Sequence, residues 1–134
     1  MNLKLKNQIN EIETPVKNLL KTEIEGDVRF DDITREIYST DASIYRMLPI
    51  CVAIPKTTKD VKTIIQIAAE YKIPVMPRGG GSSLSGQTVN HAIVIDFSKH
   101  INNIISIDPS GKKVSVQPGI SIDILNMHLR KHNL

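Results

Sequence analysis

The stretch best suited to chemistry is the glycine- and hydroxyl-rich segment at residues 74–89, PVMPRGGGSSLSGQTV. Three consecutive glycines begin at Gly79, and four of the next seven residues carry a hydroxyl group. Glycine lets a ligand approach the backbone, and successive N–H groups around a concavity bind anions. Arg78 places a positive charge directly before the glycines. These residue types predict a cradle for a pyrophosphate group, although the same composition also suits a flexible connector.

Neither of the two common phosphate-binding motifs is present in this segment. A P-loop requires a lysine directly after its second glycine, whereas Gln87 follows Gly86 here. The dinucleotide fingerprint G-x-G-x-x-G also fails, because Leu84 stands at the sixth position counted from Gly79. No helical pattern begins at the loop. The segment therefore predicts a third kind of phosphate cradle.

Other residues with chemical potential give weaker signals. The four histidines and Cys51 do not stand at metal-ligand spacing, so we expect no metal site. Ser82 lacks the G-x-S-x-G surroundings of a nucleophilic serine. The polar cluster formed by Asp41, Ser43 and Tyr45 is expected to serve in turns and packing. We therefore name no catalytic residue.

Composition indicates an ordinary globular chain and argues against two classes of protein. The 134 residues carry a net charge of +3, and the basic residues are scattered, which is too little for a nucleic-acid-binding surface. No apolar run approaches the roughly 20 residues of a membrane-spanning helix. The single cysteine excludes an internal disulfide and suits a reducing cytoplasm.

Hydrophobic periodicity predicts the elements that position the glycine-rich loop. Apolar runs at 51–55, 73–77 and 92–97 predict three buried strands of a parallel sheet. Thr57 and Asp60 form a capping signature at the start of the intervening helix. The predicted buried face of that helix consists of Val61, Ile64, Ile65, Ala68 and Ala69. The loop thus leaves the carboxyl end of the second strand of a βαβ unit, where α/β sheets bind ligands.

Helices are expected before this unit. The first 25 residues repeat apolar side chains at helical spacing, with a break at Thr14–Pro15 and an end at Gly26. Residues 31–38 predict a second, short helix that begins with aspartate.

A hairpin and a last helix are expected after it. Alternating apolar and polar residues at 105–108 and 114–117 predict a hairpin with one solvent-exposed face and a turn at 108–111. Ile105 and Ile107 fall on its apolar face. Ser121 is expected to cap the last helix, and the predicted buried face of that helix consists of Ile122, Leu125 and Leu129.

The segment PRGGGSSLSGQTV resembles the pyrophosphate loop of the vanillyl-alcohol oxidase/p-cresol methylhydroxylase-type FAD-binding domain. It is most similar to the branch with glycolate oxidase flavin subunits and D-lactate or D-2-hydroxyglutarate dehydrogenases. Residues 38–61 and 94–129 are similar to the blocks that precede and follow the loop, in the same order.

The expected fold is α+β: a small, partly parallel βαβ sheet flanked by helices, then an antiparallel hairpin, in an incomplete FAD-binding domain. Residues 1–48 are expected to form a helical segment leading into the domain, and 49–134 its first part, truncated at its C-terminus.

The resemblance implies that FAD is held at the loop, mostly through backbone N–H groups. Ser82 occupies the place where some relatives carry a histidine bonded covalently to the flavin, so we expect non-covalent, dissociable FAD. Gly119 is expected to approach the flavin. The implied cofactor-binding residues are Pro77, Arg78, Gly79, Gly80, Gly81, Ser82, Ser83, Leu84, Gly86, Gln87 and Gly119.

The implied activity of the full-length parent is oxidation of a small 2-hydroxy acid, of the D-lactate, glycolate or 2-hydroxyglutarate type, with hydride transfer to FAD. The substrate-binding residues are expected beyond Leu134, so the fragment alone is expected to be inactive, and the electron acceptor stays open. The expected location is the cytoplasm, or the periphery of the inner face of a membrane. Two alternatives remain: a non-catalytic nucleotide- or anion-binding module, and a truncated folding unit without a ligand.

Overall fold

A computed structural model of the chain describes residues 14–133, and its framework is a four-stranded mixed sheet followed by a two-stranded one. The strands are β1 (Asp27–Arg29), β2 (Cys51–Ile54), β3 (Val75–Arg78), β4 (Ile93–Asp96), β5 (Ile104–Asp108) and β6 (Lys113–Val116). The helices are α1 (14–23), α2 (Asp32–Ile37), α3 (Thr58–Glu70) and α4 (Ile122–Leu129), with a 3₁₀ turn at Arg130–His132. The break predicted at Thr14–Pro15 concerns a helix whose first part lies outside the described residues.

The inner strands of the larger sheet are β2 and β4, because the order of strands is β1-β2-β4-β3. Strands β2 and β3 both run parallel to β4, whereas β1 runs antiparallel to β2. The three predicted strands are confirmed, but β4 lies between the two strands of the βαβ unit. The expectation that all three are buried was wrong for β3, which lies at the edge of the described sheet and is only half-buried. An edge strand tolerates Pro77, since proline has no N–H to donate to a neighbouring strand.

The main core lies between one face of the sheet and helices α1 and α3. It consists of Val16, Leu20, Ile24, Cys51, Ala53, Ile64, Ile67, Ala68, Ile93 and Ile95. A smaller cluster of Val52, Ile54 and Val94 on the opposite face packs against Tyr38 and Met76. Because β2 and β4 are covered on both faces, all their residues are apolar except the last residue of β4, Asp96.

Helix α3 begins as predicted and faces the core slightly differently. Thr57 and Asp60 form the predicted capping box. Ile64 and Ala68 are buried as predicted and Ile67 joins them, whereas Val61 is half-buried and the predicted Ile65 and Ala69 are exposed, Ile65 to 47%. A helix advances about 100° per residue, so Ile67 lies close to the direction of Ile64, whereas Ile65 is turned away from it.

Asp60 also joins two distant parts of the chain. Its carboxylate is 2% exposed and accepts hydrogen bonds from the backbone N–H groups of Glu25, Gly26, Lys56 and Thr57, at 2.8–3.3 Å. Burial alone would raise the pKa of this carboxyl group, but the hydrogen bonds outweigh burial, and the pKa is lower than the usual 3.8. A single buried charge therefore holds the end of α1 against the β2–α3 connection.

The C-terminal hairpin and helix differ from prediction in detail. Strand β5 contains a bulge at Ile105, which is 67% exposed, while Ile104 and Ile107 are half-buried. The extra residue in the bulge shifts Ile105 off the face of Ile107 that it was expected to share. Ser121 caps α4 as predicted, through a bond from Ile124 N–H. The predicted buried face of α4 is not buried: Ile122 is 68% exposed and Leu125 and Leu129 are only half-buried, because no strand or α-helix of residues 14–133 packs extensively against α4.

Replacing Asp60 by asparagine tests whether this buried carboxylate stabilises the fold. Asp60→Asn keeps the shape of the side chain but removes the charge and turns an NH₂ group towards backbone donors. We expect the free energy of unfolding to fall by about 3 kcal/mol, since hydrogen bonds to buried charges are strong and unpaired donors are costly. Asp32→Asn is the matched control, because the Asp32 side chain is 93% exposed and its pair with Arg35 should contribute at most about 0.5 kcal/mol. Equal urea denaturation midpoints for the two variants would contradict the prediction.

Candidate cofactor-binding site

The loop from Gly79 to Ala92 connects the carboxyl end of β3 to the start of β4 without forming a helix. No backbone N–H group of residues 79–84 donates a hydrogen bond to any acceptor within residues 14–133. Bonding of the loop amides resumes at Ser85, whose N–H donates to the Ser83 hydroxyl. Six successive donors are therefore available at the sheet edge where a phosphate cradle was predicted.

The backbone at the first two glycines is open to an approaching ligand. Among atoms of residues 14–133, a Cβ atom added at Gly80 would have none within 4 Å, and one added at Gly79 would contact only Pro118 O at 3.5 Å. The described part of the chain thus leaves the space beside Gly80 open. The combination of open backbone and unpaired N–H groups fits the diphosphate of a dinucleotide.

Arg78 holds the loop together through backbone carbonyl groups. Its Nη1 donates to Tyr38 O and Thr88 O, both at 3.3 Å, and its Nη2 donates to Thr40 O at 2.9 Å. The guanidinium carbon also lies 5.1 Å from the centroid of the Tyr38 ring. These bonds use three of the five donors of the guanidinium group, so Arg78 is first a positioning residue, and its predicted contact with phosphate stays a prediction.

Gly81 must be a glycine because of Arg78. Its φ of +67° lies in the left-handed region, and an added Cβ would lie 2.5 Å from Arg78 Nη2. Its carbonyl accepts a bond from Ala42 N–H at 3.1 Å. The third glycine therefore serves packing, while the second provides open space.

Asp41 fastens the far end of the loop. One carboxylate oxygen accepts bonds from Ser43 N–H and Oγ–H, and the other accepts from Thr88 N–H and Oγ1–H. The Ser43 hydroxyl is the main cause that lowers the pKa of Asp41 from 3.8 to about 2. The Tyr45 ring lies against Gly86, where an added Cβ would be 2.7 Å from Cδ2. The turn and packing roles predicted for this cluster are confirmed.

Several predicted site side chains are engaged within the loop. The Ser83 hydroxyl donates to Gln87 Oε1 and accepts from Gln87 N–H. Gly86 has a φ of +75° and is covered by Tyr45, and the Leu84 side chain is 80% exposed. Backbone N–H groups, rather than these side chains, are what the loop offers to a ligand.

Gly119 also has a structural reason to be glycine. An added Cβ would lie 2.1 Å from Phe97 O, and Gly119 N–H donates to Ile101 O at 2.9 Å. The hairpin thus closes tightly onto the turn that follows β4. The predicted approach of Gly119 to a flavin is not tested by these contacts.

A hydrogen-bonded pair beside the glycines, the half-buried Tyr38 and the buried Asp96, was not predicted from the sequence. Asp96, which is 3% exposed, accepts a 2.5 Å hydrogen bond from the Tyr38 hydroxyl and a 2.8 Å bond from Ser98 N–H. Burial, followed by the bond to Asp96, raises the pKa of Tyr38 to about 12, so the phenol stays protonated. The one signal in the sequence was an aspartate that ends the otherwise apolar strand IVID.

These residues line a cavity of about 250 Å³. Its walls are formed by Ile37, Tyr38, Arg78, Gly79, Gly80, Asp96 and Ser98. The cavity and the row of free N–H groups share Gly79 and Gly80, so together they form one continuous candidate site at the edge of the sheet.

The described part of the chain contains neither a metal-binding cluster nor a membrane-spanning helix. Among residues 14–133, no three His, Cys, Asp or Glu side chains come together to hold a metal ion. Within that range, no helix combines the length and the apolarity needed to cross a membrane.

A sequence model of the FAD binding domain family matches residues 49–134. The match covers more than half of the chain, and the chain therefore belongs to the FAD-binding domain family.

Curated relatives include D-2-hydroxyglutarate dehydrogenase of Escherichia coli, 40% identical over 108 residues, which are 78% of this chain and 11% of that protein. The glycolate oxidase subunit GlcD of Bacillus subtilis is 36% identical over 109 residues, 77% of this chain and 23% of that protein. The chain thus spans less than a quarter of the length of either protein.

Solved structures of the vanillyl-alcohol oxidase/p-cresol methylhydroxylase family have the same fold. The 4-ethylphenol oxidase of Gulosibacter chungangensis superimposes with a TM-score of 0.75 at 23% identity, over 92% of this chain and 25% of that one. This likeness confirms the α+β architecture that the sequence predicts.

Gly80 and Gly81 differ in their φ angles and in the space around them, so alanine at each position gives a matched pair of variants. Gly81→Ala should destabilise the chain by about 1–2 kcal/mol, because it places a side chain in the left-handed region and against Arg78. Gly80→Ala should change stability by no more than about 0.5 kcal/mol, since its Cβ meets no atom. Urea denaturation of both variants measures the difference, and a Gly80→Ala variant as unstable as Gly81→Ala would refute the assignment.

The Asp41 anchor should depend on pH. Its folded pKa of about 2 is below the usual 3.8, so its stabilising contribution is complete above pH 3.8 and is lost as the pH falls through about 2. We expect hydrogen exchange at the Thr88 amide to speed up, relative to its intrinsic rate, over this interval. In Asp41→Asn the amide should be unprotected already at neutral pH, without that transition. Asp108→Asn, in the hairpin turn, serves as control and should leave the Thr88 amide unaffected.

Proposed function

We propose that this chain binds FAD non-covalently at the 79–84 loop and is the N-terminal part of an FAD-linked oxidoreductase that oxidises a 2-hydroxy acid. The observation that carries the proposal is the row of six N–H groups without an acceptor in the described chain. A diphosphate supplies several anionic oxygens, and hydrogen bonds from backbone N–H groups to such oxygens are stronger than those between neutral groups.

The loop is suited to this task because it is ordered before the ligand arrives. Arg78, directly before the loop, donates to Thr88 O near the far end of the loop, and Asp41 accepts from the Thr88 hydroxyl. A preorganised loop loses little conformational entropy on binding, which leaves more of the interaction energy for affinity. The open space at Gly80 lets diphosphate oxygens reach the backbone.

The bond between protein and cofactor is proposed to be non-covalent. Ser82, at the position of the histidine in covalently flavinylated relatives, has a hydroxyl group that cannot form a histidyl–flavin bond. The cofactor-binding residues proposed from the sequence, of which Pro77 is the first and Gly119 the last, would act mainly through their main-chain groups.

The activity is proposed from the names of the relatives. They are a D-2-hydroxyglutarate dehydrogenase, a glycolate oxidase subunit and a cytochrome-type D-lactate dehydrogenase, all named for 2-hydroxy acids. Bound FAD would supply the hydride-accepting chemistry, and the chain would bind and orient it. Because the chain spans 11% of the first of these proteins, we place the substrate-binding groups outside it and expect the fragment alone to be inactive.

The wider organisation is proposed on the same basis. Residues 1–48 would lead into the domain, and residues 49–134 would form its first part. We place the protein in the cytoplasm or at the inner face of a membrane. The electron acceptor is left open.

Closing the space at Gly80 tests FAD binding directly. Gly80→Val should abolish the quenching of FAD fluorescence that the wild-type chain produces, because a branched side chain would fill the approach to the free N–H groups. Ser115→Val adds the same side chain to the exposed face of β6, where valine is well tolerated, and should bind FAD like the wild type.

The outcomes separate the competing functions. If Gly80→Val bound FAD as tightly as Ser115→Val, the loop would be only a connector. If inorganic pyrophosphate bound at the loop but FAD gained nothing over it, the non-catalytic anion-binding module would be favoured. If neither ligand bound at millimolar concentration, the remaining alternative, a truncated folding unit without a ligand, would be favoured.

A further inference from the structure

The cavity beside the glycines has a wall of hydrogen-bond acceptors. The Asp96 carboxylate is almost fully buried and faces the cavity together with the Tyr38 phenol. The phenol proton is committed to Asp96, so the phenol oxygen presents lone pairs. Each carboxylate oxygen accepts one bond within the described chain and retains capacity for another.

The adjoining loop presents the opposite character. Residues 79–84 expose N–H donors and no carboxylate, while the cavity wall has a carboxylate and a phenol oxygen. A phosphate group suits the first surface better than the second, because the Asp96 carboxylate repels it and three donors of the neighbouring Arg78 guanidinium group are already bonded to backbone carbonyls. A hydroxyl group suits the second, because it donates a hydrogen bond to a carboxylate and carries no charge.

Gly79 and Gly80 belong to both surfaces, so a single ligand can contact the two at once. Its phosphate must then be joined directly to a chain that carries hydroxyl groups. A cavity of about 250 Å³ is smaller than the roughly 300–1,000 Å³ of pockets that enclose a whole drug-sized ligand, so it can receive only a segment of a dinucleotide.

We propose that the cavity lined by Tyr38, Asp96 and Ser98 is a subsite for the hydroxyl-bearing carbon chain attached to a phosphate, with the phosphate itself on the N–H groups of 79–84. Tyr38 and Asp96 select a sugar or sugar-alcohol phosphate over a bare phosphate. The proposal rests on the proposed function and deepens it, since FAD contains two such units: ribityl phosphate and ribose phosphate.

The test uses small ligands without aromatic rings, titrated into the 134-residue chain and followed by amide NMR. Methyl phosphate, ribitol 5-phosphate and ribose 5-phosphate each carry one phosphate monoester, and only the last two carry the hydroxyl chain. All three should shift the amides of 79–84. One of the two hydroxylated ligands should also shift Ser98, whose N–H donates to Asp96, and should bind about tenfold more tightly than methyl phosphate. The tighter of the two identifies the unit that occupies the cavity.

Two variants test the residues themselves. Asp96→Asn keeps the shape of the side chain but replaces one acceptor with a donor, and Tyr38→Phe keeps the ring beside Arg78 but removes the phenol oxygen. Both should bring the affinity for the hydroxylated ligand to within about twofold of that for methyl phosphate in the same variant. Tyr38→Phe leaves the Asp96 carboxylate in place and should leave the affinity for methyl phosphate unchanged. Asp108→Asn makes the same chemical change in the hairpin turn and should alter neither affinity.

Thermal unfolding of each variant shows whether it is folded. If Asp96→Asn is unfolded, the ligand affinities of Tyr38→Phe decide the test. The proposal is overturned if the hydroxylated ligands bind no better than methyl phosphate, or if both variants weaken all three ligands equally. In either case, shifts at 79–84 would leave the proposed function intact. If no ligand shifts those amides, the proposed function fails as well.

Discussion

The site depends on one set of contacts, those of the Arg78 guanidinium group with three backbone carbonyls. Arg78 ends β3, yet it binds the carbonyl oxygens of Tyr38 and Thr40 before β2 and of Thr88 near the end of the loop. These three bonds anchor the loop through carbonyl oxygens and use none of the N–H groups of residues 79–84. A loop ordered by its own backbone hydrogen bonds would have used the donors at 79–84, whereas this arrangement leaves them available to an anion.

Three carboxylates accept further hydrogen bonds that hold the structure together or line the site. Asp41 takes the N–H and hydroxyl groups that close the loop, and Asp60 takes four N–H groups that join α1 to the β2–α3 connection. Asp96 receives the Tyr38 phenol and Ser98 N–H, and it faces a cavity. Buried carboxylates are costly unless they are hydrogen-bonded. The first two are consumed by structure, and only the third combines burial with a place beside the open glycines.

The loop itself was predictable, but the roles within it were only partly so. Consecutive glycines after an apolar run indicate close approach to a backbone, and Gly80 has that open space. Gly81 belongs to the same run of glycines, but it is a glycine for a different reason, because a side chain there would collide with Arg78. Two of the hydroxyl residues in the same segment, Ser83 and Thr88, bond within the protein. Composition identifies the segment, while the neighbours of each residue decide its role.

Sequence alone determined the features that depend on near neighbours along the chain: the cap of α3 at Thr57, the cap of α4 at Ser121, the apolar strands and the glycine loop. The caps follow from contacts three residues apart, and the strands and the loop from runs of adjacent residues, so local residue types specify all of them. Tertiary structure decided the position of β4 between β2 and β3, the half-exposed edge strand and the bond from Tyr38 to Asp96 across 58 residues. Tyr38 follows α2 and Asp96 ends β4, so the two meet only because Tyr38 packs against the apolar cluster on that face of the sheet. The order of strands is likewise a property of the whole packed core.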